Sequence, residues 1–340
     1  MAVNLTQLRR KFEKVRQGLP RHIPLTQSTF CPRLWTDAFV NDHGDVYFCC
    51  HEQPHSLGNL HRASLGELWN TFKTRQMRRL ALTRTLLCYD RCRLLDEQEL
   101  AARPGPDTRV HAPYSDLKRI KLLMGELCNI KCIMCDQDHR SQRQLPVELL
   151  QRNIDWTHIE DIELQGGEPM AMTNAKDLYV WLTEKLGKKV NFLTNGMLMP
   201  GDWAERICRG SNWLYFSING VEPATFEKVN DGAKFDKLRR NIGRVLEARE
   251  KTGSKIELVG HFTMVAENVG ELDRFPALAK ELGLDRVDFG YDMAAVPRWL
   301  EENPVEKERL ARSFSEQLAD PIIPMRTHRL VMLGIVPPVT

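Results

Sequence analysis

The hydrophobic and polar positions change their pattern at about residue 114. Beyond it, short apolar runs alternate with amphipathic stretches such as Lys176–Leu186, Lys237–Thr252 and Glu271–Leu282, which predict helices. The apolar runs predict six strands: Arg119–Met124, Asp161–Gln165, Val190–Thr194, Trp213–Ile218, Lys255–Thr263 and Arg286–Tyr291. This alternation predicts an α/β fold with a parallel sheet or barrel, whose functional residues lie on loops at the carboxyl ends of the strands.

Residues 31–100 contain shorter elements. The runs LWTDAFV and DVYFCC flank Asn41-Asp42-His43-Gly44, which predicts a β-hairpin. Ser64 and Glu67 have the spacing of a capping box and predict a helix that continues to about Leu80. The stretch Ala101–Pro113 holds three prolines and a glycine and predicts a domain boundary.

The predicted organisation therefore has four parts. Residues 1–30 form a basic helix and linker, 31–100 a small α+β module, 114–320 the α/β domain and 321–340 a tail. The net charge of +3 does not by itself imply a nucleic-acid or membrane partner. No apolar run is long enough to span a membrane and no signal peptide is evident, so we expect a cytoplasmic protein. Its nine cysteines then predict metal or cluster ligands rather than disulfides.

Cys128, Cys132 and Cys135 directly follow the first predicted strand of the α/β domain. Three thiolates this close can wrap one metal centre, and they leave the fourth iron of a [4Fe–4S] cluster open for a substrate or cofactor. The alternatives are three packed core cysteines, or a zinc site with a fourth ligand elsewhere.

The next predicted strand ends in Gly166-Gly167-Glu168-Pro169. Two glycines let the backbone approach a ligand closely, and Glu168 could accept a hydrogen bond from an ammonium group. A Gly-Gly pair alone is usually a turn. The cysteine group and this loop, at the ends of consecutive strands, are a stronger joint signal for a binding site.

The order of four motifs resembles the radical S-adenosylmethionine (SAM) superfamily over residues 115 to about 292. The motifs are C-x3-C-x2-C, Gly166–Pro169, Thr194-Asn195-Gly196 and Ser217-Ile218-Asn219-Gly220. The resemblance implies a partial (β/α)6 barrel that binds SAM and a [4Fe–4S] cluster and generates a 5′-deoxyadenosyl radical. It also implies that Gly166, Gly167 and Glu168, followed by Pro169, hold the methionyl amine, with Asn195, Ser217 and Asn219 near the rest of SAM.

Two positions depart from the family pattern. Met134 stands where relatives often carry an aromatic residue. The stretch Lys228–Gly232 lacks the arginine that pairs with the SAM carboxylate in many relatives, so Lys228 or Asn230 is the candidate replacement.

A second cysteine group lies in the N-terminal module. Cys31 and Cys49 flank the predicted hairpin, and Cys88 and Cys92 follow the capped helix, which suits a closed site for a [4Fe–4S] cluster or structural zinc. Cys50 is an alternative to Cys49. The pattern resembles the SPASM/twitch modules that hold auxiliary clusters in many radical SAM enzymes, and we favour a cluster over zinc. Those modules usually follow the barrel, whereas this one precedes it.

The predicted function is hydrogen abstraction from a peptide or a small natural product, with an auxiliary cluster that supports oxidation or substrate placement. The expected electron donor is a flavodoxin or ferredoxin, and no nucleic-acid partner is favoured. Cys208 and Tyr291 are further catalytic candidates, although a buried helix thiol is the simpler explanation of Cys208. The alternatives are a redox-neutral epimerase, an RNA-modifying enzyme and a non-catalytic iron–sulfur or zinc redox protein.

Overall fold

The computed structural model describes residues 31–50, 55–82 and 109–337 in full, and the backbone of 21–24 and 85–88. The helix predicted near the start of the chain, Cys92 and most of the predicted linker lie outside these residues.

The strands and helices follow the alternation expected from the sequence. The strands are β1 (Arg21–Pro24), β2 (Asp37–Val40), β3 (Asp45–Tyr47), β4 (Gly58–Asn59), β5 (Thr85–Cys88), β6 (Arg119–Leu123), β7 (Lys131–Cys132), β8 (Asp161–Gln165), β9 (Val190–Thr194), β10 (Trp213–Ser217), β11 (Asn230–Asp231), β12 (Glu257–Met264) and β13 (Arg286–Tyr291). The helices are α1 (Arg33–Thr36), α2 (Leu65–Trp69), α3 (Phe72–Leu82), α4 (Val147–Asn153), α5 (Thr173–Val180), α6 (Trp203–Gly210), α7 (Pro223–Val229), α8 (Phe235–Thr252), α9 (Phe275–Glu281), α10 (Ala295–Glu302), α11 (Pro304–Ala319) and α12 (His328–Met332). The fold class is confirmed as α/β with mostly parallel strands.

The chain forms two compact units whose borders differ from the predicted domains. One unit holds Met1–Glu126, Ser141–Gly166 and Met172–Lys189. The other holds Leu127–Arg140, Gly167–Ala171 and Val190–Thr340. The boundary predicted at Ala101–Pro113 stays a prediction.

In the first unit, the N-terminal module adds its strands to those of the α/β domain. The predicted hairpin is present, with β2 antiparallel to β3 and β3 antiparallel to β4. β2 also pairs in parallel with β6, with Asp37 opposite Arg119 and Phe39 opposite Lys121. An ion pair between Asp37 and Arg119 accompanies this pairing, which the sequence pattern did not predict.

Two predicted elements of the module are corrected. The residues Leu-Trp-Thr before Asp37 belong to helix α1 rather than to a strand. The capping box at Ser64 is present, but its helix ends at Trp69. The buried guanidinium of Arg78 donates to the Trp69 carbonyl, which a continuous helix would use internally, and it packs on the Trp69 ring. This side chain therefore stabilises the break between α2 and α3.

The second unit is built on the parallel strands β9, β10, β12 and β13. Phe262, Phe275, Phe289 and Phe314 form a chain of ring contacts that packs α9 and α11 against β12 and β13. The segment after α11 runs beside β13, because Val287 donates to the Pro324 carbonyl and accepts from the Arg326 amide. This part of the predicted tail covers the edge of β13, as exposed strand edges commonly are.

Two glycines of the first unit allow the loops that follow β6 and β8 to touch. Gly166 has a φ of +134°, and a Cβ added there would lie 2.2 Å from the Gly125 carbonyl oxygen.

We therefore expect Gly166→Ala to lower the free energy of unfolding by roughly 2–4 kcal/mol in urea denaturation. Gly243→Ala is the matched control, because this helical glycine has open space around its Cβ position and should become neutral or slightly more stable. Similar effects in the two variants would contradict the close approach.

Candidate active site

The three-cysteine loop is anchored by its own backbone and by β11. The Cys128 amide donates to the His139 carbonyl, and the Cys135 amide donates to the Cys132 carbonyl. β7 pairs antiparallel with β11, which sets Cys132 opposite Asn230. The loop is therefore held at both ends and in its middle.

The three thiols of this loop lie within electrostatic range of one another. Burial, with the neighbouring Cys135 and Cys128 acting in the same direction, raises the pKa of Cys132 to about 12. Burial likewise raises the pKa of Cys128 to about 11, with Glu168 and Cys135 acting in the same direction. Thiolates at these positions need a positive partner, which iron would supply on replacing the protons.

Three thiolates are the ligands that a SAM-binding [4Fe–4S] cluster would need. In the part of the chain that the structure describes, no three His, Cys, Asp or Glu side chains converge closely enough to hold one metal ion. A mononuclear zinc site gathers its ligands around one centre. The three thiolates of a [4Fe–4S] cluster bind different irons, so they can lie farther apart.

Glu168 connects the glycine-rich loop to the end of β9. Its side chain is 1% exposed. One carboxylate oxygen accepts from the Met170 amide at 3.0 Å and the Thr194 hydroxyl at 2.9 Å, and the other accepts from the Asn195 amide at 2.7 Å. Three protein donors thus occupy most of the lone pairs that the sequence analysis assigned to the SAM amine.

This enclosed carboxyl group predicts a pH dependence of stability. Burial raises the pKa of Glu168 to about 7 from 4.5, although its three hydrogen bonds lower it. A carboxyl group whose pKa is higher in the folded state stabilises the fold below about 4.5, and this contribution is lost as the pH rises through about 7. We expect the iron-free protein to lose on the order of 3 kcal/mol from this group between about pH 5 and about pH 8. Urea denaturation of the wild type and Glu168→Gln at both pH values measures it, and an equal pH dependence in the two would rule it out.

Asn195 links the end of β9 to the cysteine loop. Its Nδ2 lies 3.7 Å from the Cys128 sulfur and donates to the Asn129 side-chain oxygen at 3.0 Å. Its own Oδ1 accepts from the Met197 amide, which closes the turn at Gly196. Asn195 thereby stands beside a proposed cluster ligand, where the motif match predicted SAM.

The end of β10 is organised by three buried asparagines. Asn219 accepts from the Thr263 amide through its side chain, and its carbonyl accepts from Asn268 Nδ2. Asn230 is 1% exposed and uses both ends of its amide within the protein. Lys228 is exposed, and the choice of Lys228 or Asn230 in place of the missing arginine stays a prediction. Asn268 had been given no role from the sequence. Its only local signal is its position shortly after the end of β12.

The remaining candidates differ in their surroundings. Gly167 and Ser217 are half-buried at strand ends, and Pro169 is buried. Cys208 is 2% exposed in α6, and its thiol lies 3.6 Å from the Val245 carbonyl of α8, which is a packing position. Tyr291 lies beside Arg329, with 5.9 Å between the guanidinium and the ring centre. The catalytic roles of Cys208 and Tyr291 stay predictions.

The cysteines of the N-terminal module are described only in part. Cys31 is buried at the start of α1, and Cys49 and Cys50 are half-buried directly after β3. Cys88 ends β5, opposite Arg21 in the β1–β5 ribbon. Gly44 has a φ of +80° in the hairpin turn, which a glycine adopts without strain. The ligand set with Cys92, and the choice between Cys49 and Cys50, stay predictions.

Two family profiles match the chain. One, described as the radical SAM superfamily, matches residues 122–276, which include the three-cysteine loop and the loops after β8, β9 and β10. This region of the chain therefore matches the radical SAM superfamily, as its motifs predicted. The other, described as an iron–sulfur cluster-binding domain and named SPASM, matches residues 31–93. The two matches indicate an enzyme with a SPASM domain ahead of its radical SAM region, and they imply SAM, a [4Fe–4S] cluster and an auxiliary iron–sulfur cluster as cofactors.

Among curated relatives, the chain is 28% identical over 182 residues to the PqqA peptide cyclase of Gluconobacter oxydans, covering 50% of this chain and 48% of the relative. It is 25% identical over 142 residues to the GTP 3′,8-cyclase of Desulforamulus reducens, covering 39% of this chain and 43% of the relative. The chain spans about half the length, or less, of these curated relatives.

Among solved structures, SuiB of Streptococcus suis is similar with a TM-score of 0.45 and 12% identity, over 61% of this chain and 48% of SuiB. No helix in the described residues is long and apolar enough to cross a membrane.

Proposed function

We propose that this protein cleaves SAM reductively and uses the resulting radical to remove a hydrogen atom from a peptide or small natural-product substrate. The observation that carries this proposal is the single hydrogen-bonded assembly of the second unit. In it, Glu168 holds the end of β9, and Asn195 at that end contacts the cysteine loop. A carrier protein that only stores an electron has no need of a glycine-rich loop at such a position.

In this proposal Cys128, Cys132 and Cys135 hold the SAM-binding cluster. The chemistry supplied there is one-electron cleavage of SAM to methionine and a 5′-deoxyadenosyl radical. Because the Glu168 carboxylate is enclosed by protein donors, we assign recognition of the methionyl amine mainly to backbone carbonyls of Gly166 and Gly167. Asn195 orients the cysteine loop. Asn219, just after β10, is linked to the same loop through Asn230, which contacts Cys132.

For the auxiliary cluster we propose Cys31, Cys88, Cys92 and either Cys49 or Cys50 as ligands. Four thiolates close the site, so this cluster would bind no SAM and would accept an electron from the substrate or help to place it. A flavodoxin or ferredoxin is the proposed source of the electron for SAM cleavage.

A peptide is the first candidate substrate because the similarity to the PqqA peptide cyclase covers half of the chain. The relatives named GTP 3′,8-cyclase favour a nucleotide as the second candidate, over a smaller share of the chain. The fold alone does not choose between them, since this fold class hosts many reactions.

The experiment that tests the function uses anaerobically reconstituted protein. About eight irons per chain, and 5′-deoxyadenosine formed from SAM and dithionite, are expected for two [4Fe–4S] clusters. About four irons with bound zinc would keep the SAM-binding cluster and assign zinc to the module. A fully loaded protein that neither binds nor cleaves SAM would show the proposal to be wrong.

The substrate class can be tested without knowing the substrate. Peptides from cells grown in heavy water and deuterated GTP are supplied separately, and the deoxyadenosine is analysed by mass spectrometry. Deuterium in deoxyadenosine from the peptide pool supports the first candidate, because the radical takes its hydrogen atom from the substrate. Deuterium only from GTP would overturn the peptide assignment.

A further inference from the structure

Asn230 is placed beside a cluster ligand by the backbone itself. It faces Cys132 in the β7–β11 ribbon, and the Ile133 amide donates to the Val229 carbonyl next to that pair. The neighbourhood of Asn230 and Cys132 therefore does not depend on how the thiol is turned.

The side chain of Asn230 completes this contact. Its Oδ1 lies 3.3 Å from the Cys132 sulfur and accepts from Asn219 Nδ2 at 2.9 Å. Its Nδ2 donates to the Phe226 carbonyl at 2.8 Å. The amide thus turns its oxygen, and not its N–H group, toward the sulfur.

Residues beyond the cysteine loop determine this orientation. The Thr263 amide donates to Asn219 Oδ1 at 2.8 Å, so Asn219 must present its Nδ2 to Asn230. The Phe226 carbonyl can only accept. If Asn230 were flipped, its NH₂ group would meet the NH₂ group of Asn219 and its oxygen would meet the Phe226 carbonyl.

We propose that Asn230 is a positioning residue that presents a carbonyl oxygen to the Cys132 sulfur and keeps the reduction potential of the SAM-binding cluster low. This inference rests on the proposed function, in which Cys132 binds iron. A sulfur that binds iron has no proton to donate to the oxygen. The partial negative charge of the Asn230 oxygen would then lie beside a cluster that becomes more negative on reduction, which disfavours the reduced form. Hydrogen bonds donated to cluster sulfurs influence the reduction potential of a cluster. Because Asn219 holds the Asn230 oxygen toward Cys132, the Asn230 N–H group does not donate such a bond.

The low potential serves the cleavage of SAM. With a cluster bound by these cysteines, an external reductant such as dithionite or a flavodoxin would supply the electron for cleavage of the sulfonium bond of SAM. A cluster that accepts this electron too readily is a weaker donor to SAM. Asn230 would therefore favour the chemistry without contacting SAM.

The test is a reductive titration of the full chain, followed by electron paramagnetic resonance. The signal that changes when SAM is added identifies the SAM-binding cluster and separates it from the auxiliary one. Asn230→Leu removes the oxygen, and Asn219→Leu removes one of the two contacts that hold this oxygen toward Cys132. We expect the midpoint potential of the SAM-responsive signal to shift upward in both variants.

Asn191→Leu is the matched control, because Asn191 is also 1% exposed and accepts from the Asn212 and Trp213 amides at the opposite end of the strands. It should leave the potential unchanged. A purely structural Asn230 would lower iron content and melting temperature in its variant without moving the potential, which would overturn the inference. If Asn230→Leu does not bind its iron–sulfur clusters, the midpoint potential of the Asn219→Leu variant alone tests the inference. A wild type with no SAM-responsive signal would instead refute the proposed function.

Discussion

Replacing Cys128, Cys132 or Cys135 singly with alanine is expected to reduce deoxyadenosine formation to the background without enzyme and to remove about four irons per chain. The three thiols share one anchored loop, and each would bind a different iron, so two cannot retain a stable cluster. Burial already disfavours the ionised forms of Cys128 and Cys132 without a metal, so these two thiolates would need the positive charge of iron. The measurements are iron and sulfide content and deoxyadenosine by liquid chromatography.

Cys208→Ala is the control for these variants. Its thiol is as buried as a core residue and packs between α6 and α8, so the substitution removes a cysteine without touching the loop. It should keep iron content and SAM cleavage and cost about 1 kcal/mol of stability. Full activity in any variant of the loop would mean that the cluster is held elsewhere.

Glu168→Ala is expected to weaken SAM binding at least about tenfold, and to lower the free energy of unfolding by several kcal/mol. It leaves the Met170 and Asn195 amides and the Thr194 hydroxyl without their buried acceptor. Each such loss costs about 1–3 kcal/mol, and the loop can regain partners only by moving. Binding is measured by equilibrium dialysis with labelled SAM, and stability by urea denaturation.

The control for Glu168 is Glu257→Ala. That carboxylate pairs with Arg286 at the amino ends of β12 and β13, so its loss should affect stability and spare SAM binding. Thr194→Val, which removes one of the three donors to Glu168, should have an intermediate effect. Unchanged SAM affinity in Glu168→Ala would mean that the loop keeps its position without the carboxylate.

Much of the site could be predicted from the sequence because the residues of each motif lie close together in the chain. The cysteines lie within one loop, and the glycine-rich segment directly follows the apolar run that forms β8. The period of apolar residues predicted the six strands to within one or two residues at their ends. The Ser64 capping box was recognised because both partners lie within four positions.

The roles of individual side chains in the site could not be predicted in the same way. Glu168 was predicted to accept from an ammonium group, and two of its partners within the protein, Thr194 and Asn195, lie more than twenty positions away. Asn230 was a candidate for SAM, yet the distant Asn219 determines how its amide is used. The local sequence does not distinguish one polar residue at a strand end from another, because it does not show which donor will meet which acceptor in the folded chain.

The sequence by itself determined the fold class, since apolar periodicity sets the elements, and its motif spacing predicted the cluster ligands. Only the tertiary structure decided that β2 of the module extends the parallel strands beside β6. It also decided that α2 ends at Trp69, where the Arg78 guanidinium donates a hydrogen bond to the Trp69 carbonyl. These outcomes depend on which groups meet in space, because a buried donor or acceptor must find a partner wherever the fold provides one.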